Sequence, residues 1–264
     1  MMEAQRAFFW VPREYQAILR ELKLTDSERI FADERIVPWR SIPERENCTL
    51  DATLADGRAI RLHVKRYRPA WAPKPPGEEE ADGILAMELA KIPTAPLVAW
   101  GKMADGRSFL ITEDLTGYRP ADKVIQSGVP FEQLLAPTAD LAAKLHSAGL
   151  HHRDLYLCHF LVKLADETTD LKLIDAARVR RLPGWFFRNR WIVKDLAQFW
   201  YSAEQLATSA EQLERWLRRY AEQRKLTTFD RLRRAVQRKA AWIARHDAKL
   251  KAKQPTRNVS LPGT

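Results

Sequence analysis

The stretch that decides the fold is His151-His152-Arg153-Asp154-Leu155-Tyr156-Leu157-Cys158-His159-Phe160-Leu161. It follows the pattern H-R-D-L-x-x-x-N except at the last position, where His159 replaces the Asn. Helical periodicity with a closing glycine predicts a helix over residues 131–150 just before the stretch, and two short strands are predicted after it, over 160–164 and 170–174. The stretch is therefore a loop displayed between a helix and a pair of strands.

This loop has the residue types that phosphoryl transfer needs, because that chemistry requires mainly positioning and neutralisation of charge. Asp154 is the candidate that accepts the proton of the attacking hydroxyl, and His152 and Arg153 complete the catalytic triplet. Asp175 follows the apolar run 171–174, where a carboxylate that holds magnesium is expected. The two carboxylates, in this order, point to nucleotide-dependent phosphate transfer.

The N-terminal part of the chain supplies groups that could contact a nucleotide. The predicted elements are a helix over 13–23, strands over 47–54 and 59–67, a proline-rich loop over 69–77, a helix over 78–91, and strands over 97–100 and 108–112. Period-two alternation places Lys65 near the end of its strand. Lys65 could then reach the α and β phosphates of ATP, with a glutamate of the next helix as its ion-pair partner.

Each of these residues has a simpler explanation when it is taken alone. A single strand lysine is usually a solvated edge residue, and an aspartate at a strand end is usually part of a turn. A zinc site could be suggested by His146, His151, His152, Cys158 and His159, but structural zinc sites favour ligands paired two to four residues apart. The patterns GxSxG, GxGxxG, HExxH and GxxxxGK[ST] do not occur in the chain. The ordered set of residues is what favours phosphoryl transfer.

Composition indicates a globular protein with a basic C-terminal third. The 264 residues carry a net charge of +10 with 45% apolar side chains, so a full core is expected and disorder is excluded. Residues 176–194 hold six basic and no acidic side chains, and residues 201–264 hold 15 basic and 6 acidic ones. This excess predicts a polyanionic partner, although solvated helix faces alone would also account for it.

We expect a cytoplasmic protein without a membrane-spanning helix. No stretch approaches the roughly 18 apolar residues that a spanning helix needs. The first ten residues also lack the apolar core of a signal peptide. Cys48 and Cys158 show neither CxxC spacing nor a paired framework, so both are expected to be free thiols.

Taken together, these motifs resemble the bacterial lipopolysaccharide core kinases, the Kdo and heptose kinases of the Kdo/WaaP type. The segment from His152 to Leu161 matches that family's catalytic loop, including the His where protein kinases have Asn. Further matching segments are Ile92-Pro93-Thr94-Ala95-Pro96, Val98-Ala99-Trp100-Gly101, Leu110-Ile111-Thr112-Glu113-Asp114-Leu115, Leu173-Ile174-Asp175 and Lys194-Asp195-Leu196-Ala197. The resemblance covers residues 47–201.

The resemblance implies an α+β, protein-kinase-like bilobal fold with ATP and Mg²⁺ as cofactors. Its small, β-rich N-terminal lobe would be residues 1–113, and its larger helical C-terminal lobe residues 114–264. The γ-phosphate would go to a Kdo or heptose hydroxyl of the lipopolysaccharide inner core, at the cytoplasmic face of the inner membrane. Asp195 would brace the catalytic loop. The implied nucleotide-binding residues are Lys65, Glu80, Glu113 and His159, and the implied metal ligands are Asp175 and His159. Glu78 and Glu79 remain alternatives to Glu80.

The basic segment 176–194 is the candidate acceptor site. It contains no Ser, Thr or Tyr, so phosphorylation cannot switch it, and Trp and Phe residues lie among its arginines. This mixture suits an anionic glycolipid at an anionic membrane surface, and nucleic acid is not favoured as a partner. The candidate substrate-binding residues are Arg178, Arg180, Arg181, Arg188 and Arg190.

Several departures from kinase patterns leave two other functions open. Residues 46–54 contain no glycine, so a phosphate-covering loop there would be built from larger residues, and Asp175 is followed by two alanines. His63 shares the strand face of Lys65, and His159 offers nitrogen where magnesium prefers oxygen. One alternative is a small atypical protein kinase, although Tyr156 stands where Ser/Thr protein kinases usually have Lys. The other is a catalytically silent module that docks on anionic membranes or nucleic acid.

Overall fold

The computed structural model describes residues 7–70, 73–165, 168–206 and 208–253. Contacts divide the chain into an N-terminal unit, residues 1–86 and 95–116, and a C-terminal unit, residues 87–94 and 117–264. The predicted boundary between residues 113 and 114 stays a prediction. Trp71 and Ala72, in the predicted proline-rich loop, lie outside the described residues.

The N-terminal unit is built on a six-stranded antiparallel sheet with three short helices. Its strands are β1 (Phe8–Trp10), β2 (Val37–Ser41), β3 (Arg45–Thr53), β4 (Ala59–Tyr67), β5 (Leu97–Lys102) and β6 (Ser108–Glu113). Its helices are α1 (Gln16–Glu21), α2 (Ser27–Ala32) and α3 (Pro76–Leu89). The strand order is β1-β5-β6-β4-β3-β2, so β4 lies inside the sheet with β3 and β6 as its neighbours.

Side chains that alternate between the two faces of β4 explain why this strand lies inside the sheet. Leu62 and Val64 are fully buried in the core, whereas Lys65 pairs in register with Asn47 of β3 and Leu110 of β6. α3 begins at Pro76, two residues before the predicted helix, because proline fits the first turn of a helix. The end of the predicted loop, Pro76 and Gly77, is therefore helical.

One interpretation of the sequence is wrong. The strand predicted over 47–54 is present as β3, which pairs with both β2 and β4, so the phosphate-covering loop that was expected within residues 46–54 does not lie there. The physical reason is burial, because Cys48 and Leu50 enter the sheet core. The connection before β3 is instead a tight turn, closed by backbone hydrogen bonds of 2.9 and 3.3 Å between Ile42 and Arg45.

The C-terminal unit is mainly helical, with short strands near the predicted catalytic loop. Its strands are β7 (Arg119–Pro120), β8 (Leu150–His151), β9 (Phe160–Ala165), β10 (Thr168–Leu173) and β11 (Arg180–Arg181). Its helices are α4 (Ala121–Gln126), α5 (Phe131–Ser147), α6 (Trp185–Glu204), α7 (Ala210–Gln223) and α8 (Phe229–Lys253). Residues 151–161 thus follow α5 and run from β8 through a single 3₁₀ turn, Leu157–His159, into β9, which forms a hairpin with β10.

Aromatic packing holds the helices of this unit together. The ring of Phe199 on α6 stacks on Trp216 of α7 with centroids 4.0 Å apart, and both rings are fully buried. The indole N–H of Trp216 donates to Thr138 Oγ1 on α5 at 3.0 Å, so the polar atom of the buried ring is satisfied. Helix α6 is therefore fixed against α5 and α7.

The described part of the basic C-terminal region, residues 201–206 and 208–253, contains the end of α6 and two further helices, α7 and α8. Ala203 lies in the last turn of α6, which ends at Glu204, and α7 begins separately at a capping box in which Ser209 and Gln212 exchange hydrogen bonds. A second break follows at Lys225, whose φ is +52°. The β-rich first unit and helical second unit confirm the predicted α+β fold class. Cys48 and Cys158 are free thiols, and none of the described helices could cross a membrane.

Candidate active site

The predicted catalytic loop is held by one buried carboxylate on α6. Asp195 accepts backbone N–H bonds from His152 at 2.6 Å and from Arg153 at 2.8 Å, and its Oδ2 also lies 3.2 Å from Nε2 of His146. Burial alone would raise the pKa of Asp195, but these hydrogen bonds and the neighbouring histidines hold it below its usual value. Asp195 therefore stays ionised and makes the bracing contacts that the resemblance implied.

Other side chains on the same face of α6 continue this support. Gln198 accepts from the Leu155 backbone N–H at 3.1 Å, and Ser202 accepts from the Leu157 N–H at 2.9 Å. Lys194 and Gln198 both donate to the backbone carbonyl of Arg153, at 3.0 and 3.1 Å. Spacings of four residues put these positions on one helix face, so α6 satisfies the backbone of the loop over several residues.

The backbone at Arg153 adopts an unusual conformation directly before Asp154. Its φ is +66°, a left-handed value that few residues other than glycine adopt. Asp175 shares this feature with a φ of +63°. Such conformations persist where surrounding contacts enforce them, and they are concentrated at functional sites. Both predicted acidic residues are thus beside or within strained backbone.

Asp154 lies half-buried in the C-terminal unit. Among the described residues its carboxylate makes no side-chain hydrogen bond. Burial raises the pKa of Asp154, and the carboxylate of Asp175 adds to that rise, while positive charges on His159, Arg178 and Lys194 oppose it. A carboxylate with a raised pKa and free oxygen atoms is suited to accept a proton.

Asp154, His159 and Asp175 form a cluster whose possible ligand atoms lie within 4.8 Å of one another. Nδ1 of His159 is 2.7 Å from the backbone oxygen of Asp154, so Nδ1–H donates there and Nε2 faces Asp175 Oδ2 at 3.7 Å. Burial would lower the pKa of His159, but Cys158 and the two carboxylates raise it to about 10. In its protonated form the ring is a cation and cannot bind a metal ion, so only the neutral ring could serve as a ligand.

The donor chemistry of this cluster fits magnesium only in part. Two carboxylates supply the oxygen atoms that Mg²⁺ prefers, and an imidazole nitrogen is a poorer ligand for it. Asp175 fits the predicted role of metal ligand on this ground. His159 fits it only in its neutral form, and its observed contacts suit a charged hydrogen-bond donor better.

His152, the first residue of the catalytic triplet, is fully buried. Its Nε2–H donates to the backbone oxygen of Ile174 at 3.1 Å, which ties the loop to the residue before Asp175. Burial, together with the positive charge of His159, lowers the pKa of His152 to about 4. His152 is therefore a neutral structural contact at physiological pH.

In the N-terminal unit, Lys65 and Glu80 form an ion pair between β4 and α3. The Lys65 ammonium is 2.6 Å from Glu80 Oε1, and the Tyr67 hydroxyl donates to Oε2 of the same glutamate. Glu80 is 2% exposed, so its charge is paired where water is largely excluded. Glu78, one of the alternatives, lies near Lys74 instead.

His63 and Glu113, in the same unit as the Lys65–Glu80 pair, each have a different hydrogen-bond partner. Nε2 of His63 is 2.7 Å from Asp114 Oδ1, which draws the ring toward the residue after β6. Glu113 ends β6, and its backbone N–H donates to Pro96 O at 3.1 Å. Glu113 thus lies in the segment from Leu110 to Leu115 that the resemblance matched.

The five candidate substrate arginines do not share one environment. Arg178, Arg181 and Arg190 are exposed, and Arg180 bonds to the backbone oxygen of Val179 at 2.7 Å. Arg188 is half-buried and donates to His146 O at 3.4 Å. Arg188 therefore contacts the interior of the unit.

Sequence reasoning did not assign a role to Tyr67, Gln198 or Ser202. The alternation that placed Lys65 on one strand face also puts Tyr67 there, so that signal was present. Gln198 and Ser202 follow Asp195 in α6, but a helix face becomes informative only once its partner loop is known. These three residues support neighbours instead of carrying chemistry themselves.

Comparisons with known proteins match most of this region. The model of the family described as "Lipopolysaccharide kinase (Kdo/WaaP) family" matches residues 32–220. The lipopolysaccharide core heptose(I) kinase WaaP of Escherichia coli is 29% identical over 187 residues, which cover 62% of this chain and 67% of that relative. The kinase of the same name from Pseudomonas aeruginosa is 26% identical over 198 residues, covering 64% of this chain and 71% of that relative. The kinase of the same name from Escherichia coli K12 is 29% identical over 132 residues, which cover 43% of this chain. In that comparison the chain spans about half of the relative's length, 46%.

Proposed function

The chain belongs to the lipopolysaccharide kinase (Kdo/WaaP) family, and we propose that it transfers the γ-phosphate of ATP to a sugar hydroxyl of the lipopolysaccharide inner core. Membership confirms the resemblance drawn from the catalytic loop and, at the level of the family, the expected phosphotransferase class. The roles of individual residues and the acceptor are part of the proposal.

The observation that carries the proposal is the environment of Asp154. Its carboxylate is free of side-chain hydrogen bonds among the described residues, has a raised pKa and lies in a loop braced by Asp195. In this proposal Asp154 accepts the proton of the sugar hydroxyl while the hydroxyl oxygen attacks the γ-phosphorus. A rigid loop is needed because catalysis of this kind depends on positioning.

Magnesium would be held by Asp175, with His159 as a ligand only when its ring is neutral. When bound, Mg²⁺ neutralises phosphate oxygens and so lowers the electrostatic barrier to attack. The protonated form of His159 would instead hold the two carboxylates in place, since it contacts the Asp154 carbonyl and faces Asp175. Lys65 would neutralise nucleotide phosphates, and Glu80 with Tyr67 would fix its ammonium.

We propose a heptose hydroxyl as the acceptor, because three relatives carry the name heptose(I) kinase. The experiment offers ATP and Mg²⁺ with three acceptors: lipid-linked inner core with heptose, the same core ending at Kdo, and a casein-type protein mixture. Mass spectrometry then locates any added phosphate, and Asp154→Asn serves as the catalytic control. Phosphate on heptose in the wild type alone is the expected result.

The other outcomes separate the alternatives. Phosphate on Kdo would keep the reaction and correct the sugar, whereas phosphate on protein alone would favour the small atypical protein kinase. A folded wild-type protein that transfers phosphate to none of the three would favour the silent module. One preparation of the wild type is offered all three acceptors, so differences between enzyme preparations do not affect the comparison of acceptors.

The acceptor is a membrane glycolipid in this proposal, and the start of α6 offers a surface for an anionic bilayer. Trp185, Phe186 and Phe187 are 83%, 74% and 57% exposed, and their neighbouring ring centroids lie 5.4 and 5.5 Å apart. The segment 176–194 has no acidic residue, and Arg190 of α6 acts electrostatically on Lys239 of α8. Exposed aromatic rings beside basic side chains are the usual composition of a membrane-surface contact.

Vesicle sedimentation tests this surface without requiring catalysis. Wild-type protein should bind vesicles containing phosphatidylglycerol more strongly than vesicles of phosphatidylcholine alone, and the combined change Trp185→Ala, Phe186→Ala, Phe187→Ala should weaken that binding. Trp39→Ala is the matched control, because Trp39 is a similarly exposed ring on β2. Equal binding by the wild type and the triple variant would overturn the assignment of the surface.

A further inference from the structure

Lys194 on α6 brings an ammonium group to the catalytic loop from outside its sequence. Its Nζ lies 3.0 Å from the backbone oxygen of Arg153, the residue directly before Asp154. The loop itself has Tyr156 two residues after Asp154, so it carries no basic side chain at that place. Lys194 is held there by its position beside Asp195, whose carboxylate binds the backbone of the same loop.

The hydrogen bond to the Arg153 carbonyl does not by itself explain why a lysine stands at position 194. The Arg153 carbonyl also accepts a hydrogen bond from Gln198 Nε2 at 3.1 Å, so this oxygen is satisfied without Lys194. An ammonium has three N–H donors, and the Arg153 oxygen takes one of them. The remaining donors make no other hydrogen bond among the described residues. Lys194 can therefore donate to a ligand.

The charged groups around Lys194 also favour binding of an anionic ligand beside it. Burial lowers the pKa of Lys194, and the neighbouring cations Arg178 and Arg153 lower it further, while Asp195 and Asp154 oppose that change. Asp195 is already engaged by His146 and two backbone N–H groups. Lys194 and Arg153 are half-buried and also lie near the Trp191 ring, 5.4 and 4.8 Å from its centroid, whereas Arg178 is exposed. An anionic group bound beside Asp154 would offset the repulsion among these three cations.

We propose that Lys194 is a catalytic residue that donates hydrogen bonds to the oxyanion of the phosphoryl group during its transfer. The inference rests on the proposed function and adds a residue to it. As the acceptor oxygen forms its bond to the γ-phosphorus, the bond from that phosphorus to the β,γ-bridging oxygen breaks, and its electron pair leaves with ADP. The hydroxyl proton moves to Asp154. Lys194 remains protonated throughout and stabilises the negative charge on the non-bridging oxygens.

The test compares Lys194→Gln and Lys194→Arg in steady-state transfer to lipid-linked inner core. Glutamine keeps a hydrogen-bond donor for Arg153 but removes the charge, whereas arginine keeps the charge. We expect Lys194→Gln to lower kcat by about 100-fold with a change in KM for ATP below about threefold. Lys194→Arg should recover at least about a tenth of the wild-type kcat, because its guanidinium also donates to phosphate oxygens.

The control is Lys144→Gln, which changes another lysine of the same unit that donates to a backbone carbonyl, that of Lys91. Thermal unfolding is measured for all variants, so that a loss of folding is separated from a loss of rate. A Lys194→Gln protein with wild-type kcat would overturn the inference and leave the proposed function standing. So would a Lys194→Gln protein whose kcat loss follows a lowered unfolding temperature and is not recovered by arginine. Absence of transfer by the wild type would overturn the proposed function and this inference with it.

Discussion

Asp195 accepts a hydrogen bond of 2.6 Å from the backbone N–H of His152, and this contact joins the catalytic loop to helix α6. The same carboxylate binds the Arg153 N–H, so the two residues before Asp154 are held by one side chain. The position of Asp154 therefore depends on a residue 41 places further along the chain that carries no chemistry of its own.

We expect Asp195→Asn to unfold at lower urea concentration and to lose transfer activity. The donors to Asp195 are the backbone N–H groups of His152 and Arg153 and the ring of His146. The single oxygen of an asparagine amide can accept from only some of them, and its NH₂ group would face one of these buried donors. The free energy of unfolding should fall by about 3 kcal/mol, the order of magnitude for breaking a buried charged network. Asp140→Asn is the control, because Asp140 pairs with Arg219 at a half-exposed site and should cost less than about 1 kcal/mol.

A second prediction concerns the two partners of Glu80. Glu80→Gln removes the charge that fixes the Lys65 ammonium, so the KM for ATP should rise by about tenfold or more. Tyr67→Phe leaves that ion pair in place and removes one hydrogen bond, which should cost about 1 kcal/mol of stability with a smaller change in KM. Initial rates at varied ATP, with urea unfolding in parallel, distinguish the two effects. Equal changes in KM for both variants would contradict this assignment.

Acid should destabilise the protein through two buried histidines. Burial lowers the pKa of both His151 and His152 to about 4, below the value of about 6.5 in an unfolded chain. The unfolded state therefore binds more protons between these values, and stability present above about pH 6.5 is lost as the pH falls toward 4. The slope approaches about 1.4 kcal/mol per pH unit for each histidine.

Urea unfolding at several values between pH 7 and pH 4 measures this slope. His151→Phe should make it shallower, because one of the two proton-binding groups is removed and the phenyl ring can pack beside Trp191. The raised pKa of His159, about 10, has the opposite sign, but its contribution to stability changes between about pH 6.5 and 10. A slope that His151→Phe leaves unchanged would show that this histidine is not the group responsible.

The assignment of Asp175 predicts a change in metal requirement. Asp175→Asn should raise the Mg²⁺ concentration for half-maximal activity by about tenfold or more, because an amide oxygen binds Mg²⁺ more weakly than a carboxylate. The matched control is Asp170→Asn, in strand β10 five residues before Asp175, whose carboxylate accepts a hydrogen bond from the Tyr118 hydroxyl. Titration of activity with Mg²⁺ at fixed ATP gives the comparison, and the same half-maximal Mg²⁺ concentration for the wild type and Asp175→Asn would remove Asp175 from this role.

The sequence contained enough to predict the sheet and the order of the chemical groups. Alternation put Lys65 on the face of β4 where Glu80 meets it, and the glycine after α5 located the loop before β9. Local signals of this kind depend only on residues close in sequence. These signals could not select Glu80 over Glu78 or Glu79 without the resemblance, because the three glutamates occupy consecutive positions of one helix turn.

Helix α6 shows why the remainder could not be predicted. Its first turns, Trp185 to Arg190, combine large aromatic and basic side chains, which fits a surface segment as well as a helix. The positions of Lys194, Gln198 and Ser202 acquire meaning only from loop backbone groups more than 40 residues earlier. Contacts between distant segments have no counterpart in periodicity, and they are what places the predicted active site.

The most direct measurement is a single-turnover transfer of labelled phosphate from ATP to lipid-linked inner core by the wild type and by Asp154→Asn. Both proteins should fold and bind ATP, so the comparison reports the chemical step alone. We predict that the wild type labels the core sugar and that Asp154→Asn slows transfer by about 100-fold or more. Equal transfer rates for the two proteins would contradict the assignment of Asp154 as the proton acceptor and, with it, the account of this site.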